Sequence, residues 1–207
     1  MNSWKPICAA ALLIAATGVQ AQNVAVGNLW HVPEATSQNA IPANVPLTTP
    51  DVIFSVNSPF NFNATGATVQ TWLNSSSAFN IIENTPGTLA SLMDSGTQGT
   101  LLSFTGTVSV THNQTFTVTH DDGLTLIIGG LDLGFNPGPT APTTTTITYT
   151  GATGNFPFQL VYGECCGGSA VLQISLPLNA VPEPETYAMM VAGLAALGWV
   201  SRRRRRA

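Results

Sequence analysis

The chain has 207 residues, enough for one domain with processed ends, and only 8% of them are charged while 44% are hydrophobic. That apolar share, with abundant Thr, Asn, Ser and Gly, fits an uncharged polar β-protein and excludes a disordered tail. The cations are Lys5 and five arginines at positions 202–206. From Gln22 to Ala180, Glu34, Asp51, Glu83, Asp94, Asp121, Asp122, Asp132 and Glu164 therefore have no lysine or arginine to pair with. A nucleic-acid-binding body is excluded, since nothing in it could neutralise phosphates. Repulsion among the carboxylates invites a metal cation instead, and oxygen ligands favour calcium.

Residues 1–21 read as a signal peptide with a helical apolar core. A short basic start precedes an apolar stretch from Ile7 to Ala16, and Val-Gln-Ala offers a cleavage site after Ala21. The apolar run is short for a membrane span. Residues 22–180 form the predicted exported body. In its first half "DVIFSV" reads as a strand, while "ATVQTWLNSS" and "TLASLMDS" read as short helical turns. Period-2 alternation dominates the second half. In "SFTGTVSVTH" Phe104, Val108 and Val110 share one face, and Ser103, Thr105, Thr107, Ser109 and Thr111 the other. A turn at Asn113-Gln114 leads into "TFTVTH", then "DDG" marks a turn before the more continuously apolar "LTLIIGG". "TITYT", "FPFQLVY" and "AVLQISL" alternate in the same way, the last placing Ala170, Leu172, Ile174 and Leu176 together. Short strands between Gly, Pro and Asn turns predict an all-β fold, an antiparallel β-sandwich.

The remaining segment, 181–207, has three parts. Pro182-Glu183-Pro184 cannot continue a strand or enter a helix and makes an extended, protease-accessible stretch. An apolar helical run from Thr186 to Val200 follows; it is shorter than the roughly twenty residues that span a bilayer, though local thinning can close the gap. The arginines then act as a cytoplasmic stop. In this order the three parts closely resemble the PEP-CTERM sorting signal. The resemblance implies a Gram-negative protein, anchored in the inner membrane by a transmembrane helix until an exosortase cleaves it near Pro182-Glu183-Pro184. It then reaches the cell surface or the extracellular polysaccharide matrix of a biofilm.

Within the body, Asp121-Asp122 has two readings. Both side chains cap backbone amides in a tight turn with Gly123 supplying positive φ, or they hold calcium. Glu164 reads as an exposed strand-end residue more readily than as a ligand, and His120 as a strand-end polar residue. Cys165 and Cys166 would be the only cysteines after signal removal, in an oxidising compartment. A vicinal disulfide, unpaired thiols and an intermolecular bond all stay open; two adjacent thiols do not make a zinc site. No nucleophile elbow, phosphate loop or zinc-protease motif is present, which points away from an enzyme and leaves a carboxylate-pair glycosidase as the enzymatic alternative. Threonines at alternate positions, with "TTTT" from Thr143, suit polysaccharide or ice through hydroxyl arrays, and also simply suit solvent-facing β positions.

"FTVTHDDGLTLIIGG" followed by "GNFPFQLVYGECCGGSAVLQISL" resembles the core of the protective-antigen-like β-sandwich family, a jelly roll. The matching residues are Asp121, Asp122, Gly123, Leu126, Tyr162, Glu164, Gly168, Ala170 and Leu172. In flocculin-type adhesins of this family, paired aspartates joined by a cis peptide hold a calcium ion that contacts a sugar. The resemblance therefore implies calcium at Asp121 and Asp122, with Asp132 and Asn136 of "LDLGFNPGPTAP" as candidate ligand-binding residues in a second loop. The expected function is an exported surface or matrix protein that binds extracellular polysaccharide, with calcium as its cofactor. The alternative is a structural matrix component with no discrete site.

Overall fold

The structure is a computed structural model that describes residues 23–179, all within one compact unit. The signal peptide, Pro182-Glu183-Pro184, the apolar C-terminal run and the arginines lie outside the described residues. Among the described residues no helix is long and apolar enough to cross a membrane.

Among the described residues eleven strands form two antiparallel sheets. The larger contains β1 (Val24–Pro33), β2 (Val52–Asn57), β4 (Phe79–Glu83), β5 (Gln98–Val110), β7 (Leu124–Ile128), β8 (Leu131–Asp132) and β10 (Gly154–Glu164), in the order β4-β2-β1-β5-β10-β7-β8. The smaller contains β3 (Phe60–Thr65), β6 (Thr115–His120), β9 (Thr143–Thr148) and β11 (Ser169–Ile174), in the order β3-β11-β6-β9. Their inner faces meet in one core, as the alternating patterns require. Phe104, Val108 and Val110 of β5 and Ala170, Leu172 and Ile174 of β11 all point into it. β3 follows the same rule: Phe60 and Phe62 are buried, while Asn61 and Asn63 face water.

An aromatic column fixes one edge of this core. A short helix (Val69–Ser75) is capped by Thr68, whose hydroxyl accepts from Thr71 N–H at 3.3 Å, and it falls where "ATVQTWLNSS" predicts a helical turn. It drives Trp72 between the sheets, stacked on Phe62 at a centroid distance of 4.0 Å and parallel to Tyr162 at 5.9 Å. The other expected helical turn, "TLASLMDS", forms turns and an isolated bridge between Leu92 and Thr68.

Four strands escape the sequence reading, among them the two-residue β8, which is too short to show a period. β1 and the neighbouring part of the large sheet are covered on both faces: Leu29 points into the main core, while Trp30, Val32, Leu101 and Val161 pack under Ala40 and Val45. Double coverage erases the alternation that marks a half-buried strand. β3 and β4 are rich in Asn or exposed apolar residues, which weakens their strand signal.

The topology brings two sheet-switching turns together at one end. Residues 121–123 carry the chain from β6 in the small sheet to β7 in the large one, and residues 165–168 carry it from β10 back to β11. Pairing of β11 with β6 sets these turns side by side.

Candidate functional site

The first turn is held by its backbone. Asp121 N–H donates to Val171 O and Asp122 N–H to Thr140 O, both at 2.9 Å. Leu124 N–H donates to Asn136 O at 2.8 Å. Asp122 takes the left-handed conformation at φ 62°, so the positive φ expected at Gly123 falls one residue earlier. Gly123 is required for a different reason: a Cβ there would lie 2.0 Å from Pro137 O. The cis peptide among the described residues is Ser58-Pro59, and the Asp121-Asp122 bond is trans, the chain reversing through the left-handed Asp122 instead. His120 lies behind the turn, buried rather than a free strand-end residue, and its Nδ1–H donates to Asp122 O at 2.7 Å. Burial lowers its pKa, so it serves this turn as a neutral donor.

The second turn runs through three successive positive φ values at Cys166, Gly167 and Gly168. Cys165 and Cys166 are joined as a vicinal disulfide, Cys165 buried and Cys166 exposed. Oxidised sulfur offers no thiolate, so the close group of Asp122, Cys165 and Cys166 is not a thiolate metal centre. Cys165 N–H donates to Asp122 Oδ2 at 2.7 Å and locks the two turns together. Asp94 anchors the tip, accepting from Gly167 N–H at 2.6 Å and from Gly96 N–H at 2.8 Å.

Between the turns lies a cleft of about 470 Å³ lined by Asp121, Asp122, residues 139–142 and residues 166–169. Asp132 and Asn136 are not among its lining residues. Both are exposed, and each accepts a local N–H: Asp132 from Gly134 at 2.8 Å, Asn136 from Gly138 at 3.0 Å. The residues just beyond them line the cleft instead, together with "CGGS". Only the adjacent glycines of that second segment carried a sequence signal for an unusual turn.

Glu164 departs most from its sequence reading. It is 2% exposed, and Tyr162 Oη–H donates to its Oε2 at 2.7 Å. Burial pushes its carboxyl up to about 8 against the pull of that hydrogen bond, with Asp122, Asp121 and Asp94 adding repulsion. Burial likewise raises Asp122 to about 6; the Cys165 N–H opposes this, and Asp121 repels it further. Asp121 is raised by burial, with the backbone N–H groups of Asp122 and Ser169 pulling it back.

These shifts have a testable sign. A carboxyl with a raised folded-state pKa holds its proton in the folded chain where the unfolded chain has released it. Its contribution is complete below the ordinary carboxylate range and disappears as pH rises to about 6 for Asp122 and about 8 for Glu164. Thermal unfolding in chelator should therefore show a midpoint that falls from about pH 6.5 to about 8, above the window in which His31 and His120, their pKa values lowered by burial, act in the opposite sense. Glu164→Gln should flatten the upper part of that slope, and a slope unchanged in the variant would contradict the assignment.

The cleft suits a hard cation. Its charged donors are two carboxylates, the neighbouring donors are oxygens of the backbone and of Thr140 and Ser169, and no lysine or arginine occurs among the described residues. Such a donor set fits calcium.

Comparison with known proteins adds two findings. Residues 180–206 match the PEP-CTERM protein-sorting motif, a mark of export through an exosortase to the cell surface. No curated protein matches the sequence. Among solved structures, the PA14 sugar-binding domain from an RTX adhesin superposes with a TM-score of 0.53 at 18% identity, covering 78% of this chain and 93% of that one. The PA14 domain of the MpAFP antifreeze protein superposes with a TM-score of 0.50, also at 18% identity, covering 79% and 85%. These likenesses show the fold: the described body is a PA14-like β-sandwich, as the sequence resemblance implies.

Proposed function

We propose that this exosortase-sorted protein binds extracellular polysaccharide in the cleft between its two sheet-switching turns, with calcium held by Asp121 and Asp122. The observation that carries the reading is a pair of sequence-adjacent buried carboxylates among the lining of a 470 Å³ cleft, in a body without lysine or arginine. The sugar-binding description of the adhesin domain supports it at the level of fold. When bound, the cation supplies positive charge against the two carboxylates and coordination sites for vicinal sugar hydroxyls. The chain's own residues do the rest. Asp122 is oriented by Cys165 N–H, and Asp121 is backed by the N–H groups of Asp122 and Ser169. Cys166, an exposed residue that lines the cleft beside them, stands where the apolar side of a sugar ring would rest.

In this reading the apolar C-terminal run holds the precursor in the inner membrane with the arginines on the cytoplasmic side. Cleavage near Pro182-Glu183-Pro184 then passes the body to the surface or the extracellular matrix. Calorimetry with calcium should give saturable heat for one site, and Asp121→Asn should weaken it by roughly 10–100-fold or more, as loss of a metal-site group does. Absence of calcium heat, or identical heat in the variant, would sink the calcium role. Saturable binding on a glycan array separates this reading from a purely structural matrix component, which has no discrete ligand site.

A further inference from the structure

The outer face of the small sheet is a second feature that the cleft does not use. On β6 and β9, Thr115, Thr117 and Thr119 lie opposite Thr148, Thr146 and Thr144. Their hydroxyls pair across the strands, Thr117 with Thr146 at 2.9 Å and Thr119 with Thr144 at 2.8 Å. The same face continues over β11 and β3. There the Ser169 hydroxyl meets that of Thr65 at 2.9 Å, and Gln173 Nε2–H donates to Asn61 Oδ1 at 2.7 Å. No charged side chain stands on this face, although eight carboxylates are distributed over the rest of the body.

The face also joins two depressions. Ser169 lines the cleft at the sheet-switching turns. Asn61 lines a second polar depression of about 280 Å³ formed with residues 57–59 and 75–77. From Ser169 to Gln173, opposite Asn61, the strand runs about 13 Å.

We infer that this face is an extended binding surface for one chain of a neutral polysaccharide, running from the cleft across the sheet toward the depression at Asn61. The inference rests on the reading of the cleft as a glycan site and adds the polymer's charge class and its track. Mutual pairing holds the threonine, asparagine and glutamine side chains in place, so little side-chain freedom is lost when a ligand binds. Each paired threonine still presents a methyl group and spare hydrogen-bonding capacity, which together match the mixed C–H and O–H surface of a sugar ring. Charge sets the rest of the specificity. A polyanion finds no cation here and is repelled by the body, and a polycation is drawn to carboxylates that lie off the face.

The test is affinity electrophoresis of the full exported protein in gels containing dextran, galactomannan or alginate, with calcium calorimetry on the same samples. Wild type should be retarded by at least one neutral polymer and not by alginate. Thr117→Glu combined with Gln173→Glu should weaken that retardation at least about tenfold while calcium heat is retained; Thr146→Glu alone, on the edge strand, should weaken it in the same direction. Circular dichroism confirms that the variants stay folded. Equal retardation of folded variants and wild type would overturn the inference. So would wild type that passes both neutral polymers unretarded, equal retardation by alginate, or a wild type that shapes growing ice but ignores glycans. The cleft reading fails on a separate readout: no calcium heat in wild type, or no loss of it in Asp121→Asn.

Discussion

Trp72→Ala is expected to lower the stability of the body by about 3–5 kcal/mol from packing alone. The ring is fully buried, lies 4.0 Å from Phe62 in a stacked pair, and runs parallel to Tyr162. Its Nε1–H also donates to Ala170 O at 3.1 Å, a tie to β11 whose loss adds about 0.5–1.5 kcal/mol. Against a total stability of about 5–15 kcal/mol for a domain, that loss is severe. Urea unfolding gives the measurement, with the midpoint falling while the slope is kept. Trp72→Phe should cost less, since it restores most of the stack and loses mainly the donor. A Trp72→Ala cost under about 1 kcal/mol would mean the column does not hold the sheets together. The same column ends at Glu164 through the Tyr162 hydroxyl, so the variant should also disturb that buried carboxyl.

Gly123→Ala should cost about 3 kcal/mol and weaken calcium binding in the same protein. The added Cβ would sit 2.0 Å from Pro137 O and 3.0 Å from the Ala40 side chain. Pro137 O is backbone and already accepts from Ala40 N–H at 2.9 Å, so it cannot swing away as a side chain could. Gly123 O accepts from Gly163 N–H at 2.9 Å, so moving the turn strains its link to β10 as well. Relief has to come from displacing residues 121–123, which carries the two carboxylates off their N–H donors. Gly138→Ala is the control: its Cβ meets Asn136 Oδ1 at 3.4 Å and should change stability by no more than about 0.5 kcal/mol. Equal stability and equal calcium heat for Gly123→Ala and Gly138→Ala would refute the packing argument.

The strands of the second half were legible because their signal is local. Phe116 and Val118 alternate with threonines on β6, and Ala170, Leu172 and Ile174 alternate on β11. The Asp-Asp-Gly turn was legible for the same reason. β1 was not, because Trp30 and Val32 are covered by a segment further along the chain and the alternation disappears. Glu164 was misread as exposed, since nothing adjacent to it reveals that Tyr162 and the crossing turns enclose it. Asp132 and Asn136 were plausible oxygen donors by composition, but each is turned onto its own loop by a hydrogen bond two residues away.

By itself the sequence determined the export address, the β class and the absence of cations in the body. Each of these is a property of contiguous residues: an ordered sorting signal, a period of two, a count of charges. The tertiary structure decided where the cleft forms. Residues 121–123, 139–142 and 166–169 meet because two turns cross between the same pair of sheets, and no local pattern encodes that meeting. It also decided the electrostatics, since Asp122 and Glu164 owe their raised pKa values first to burial by segments distant in sequence.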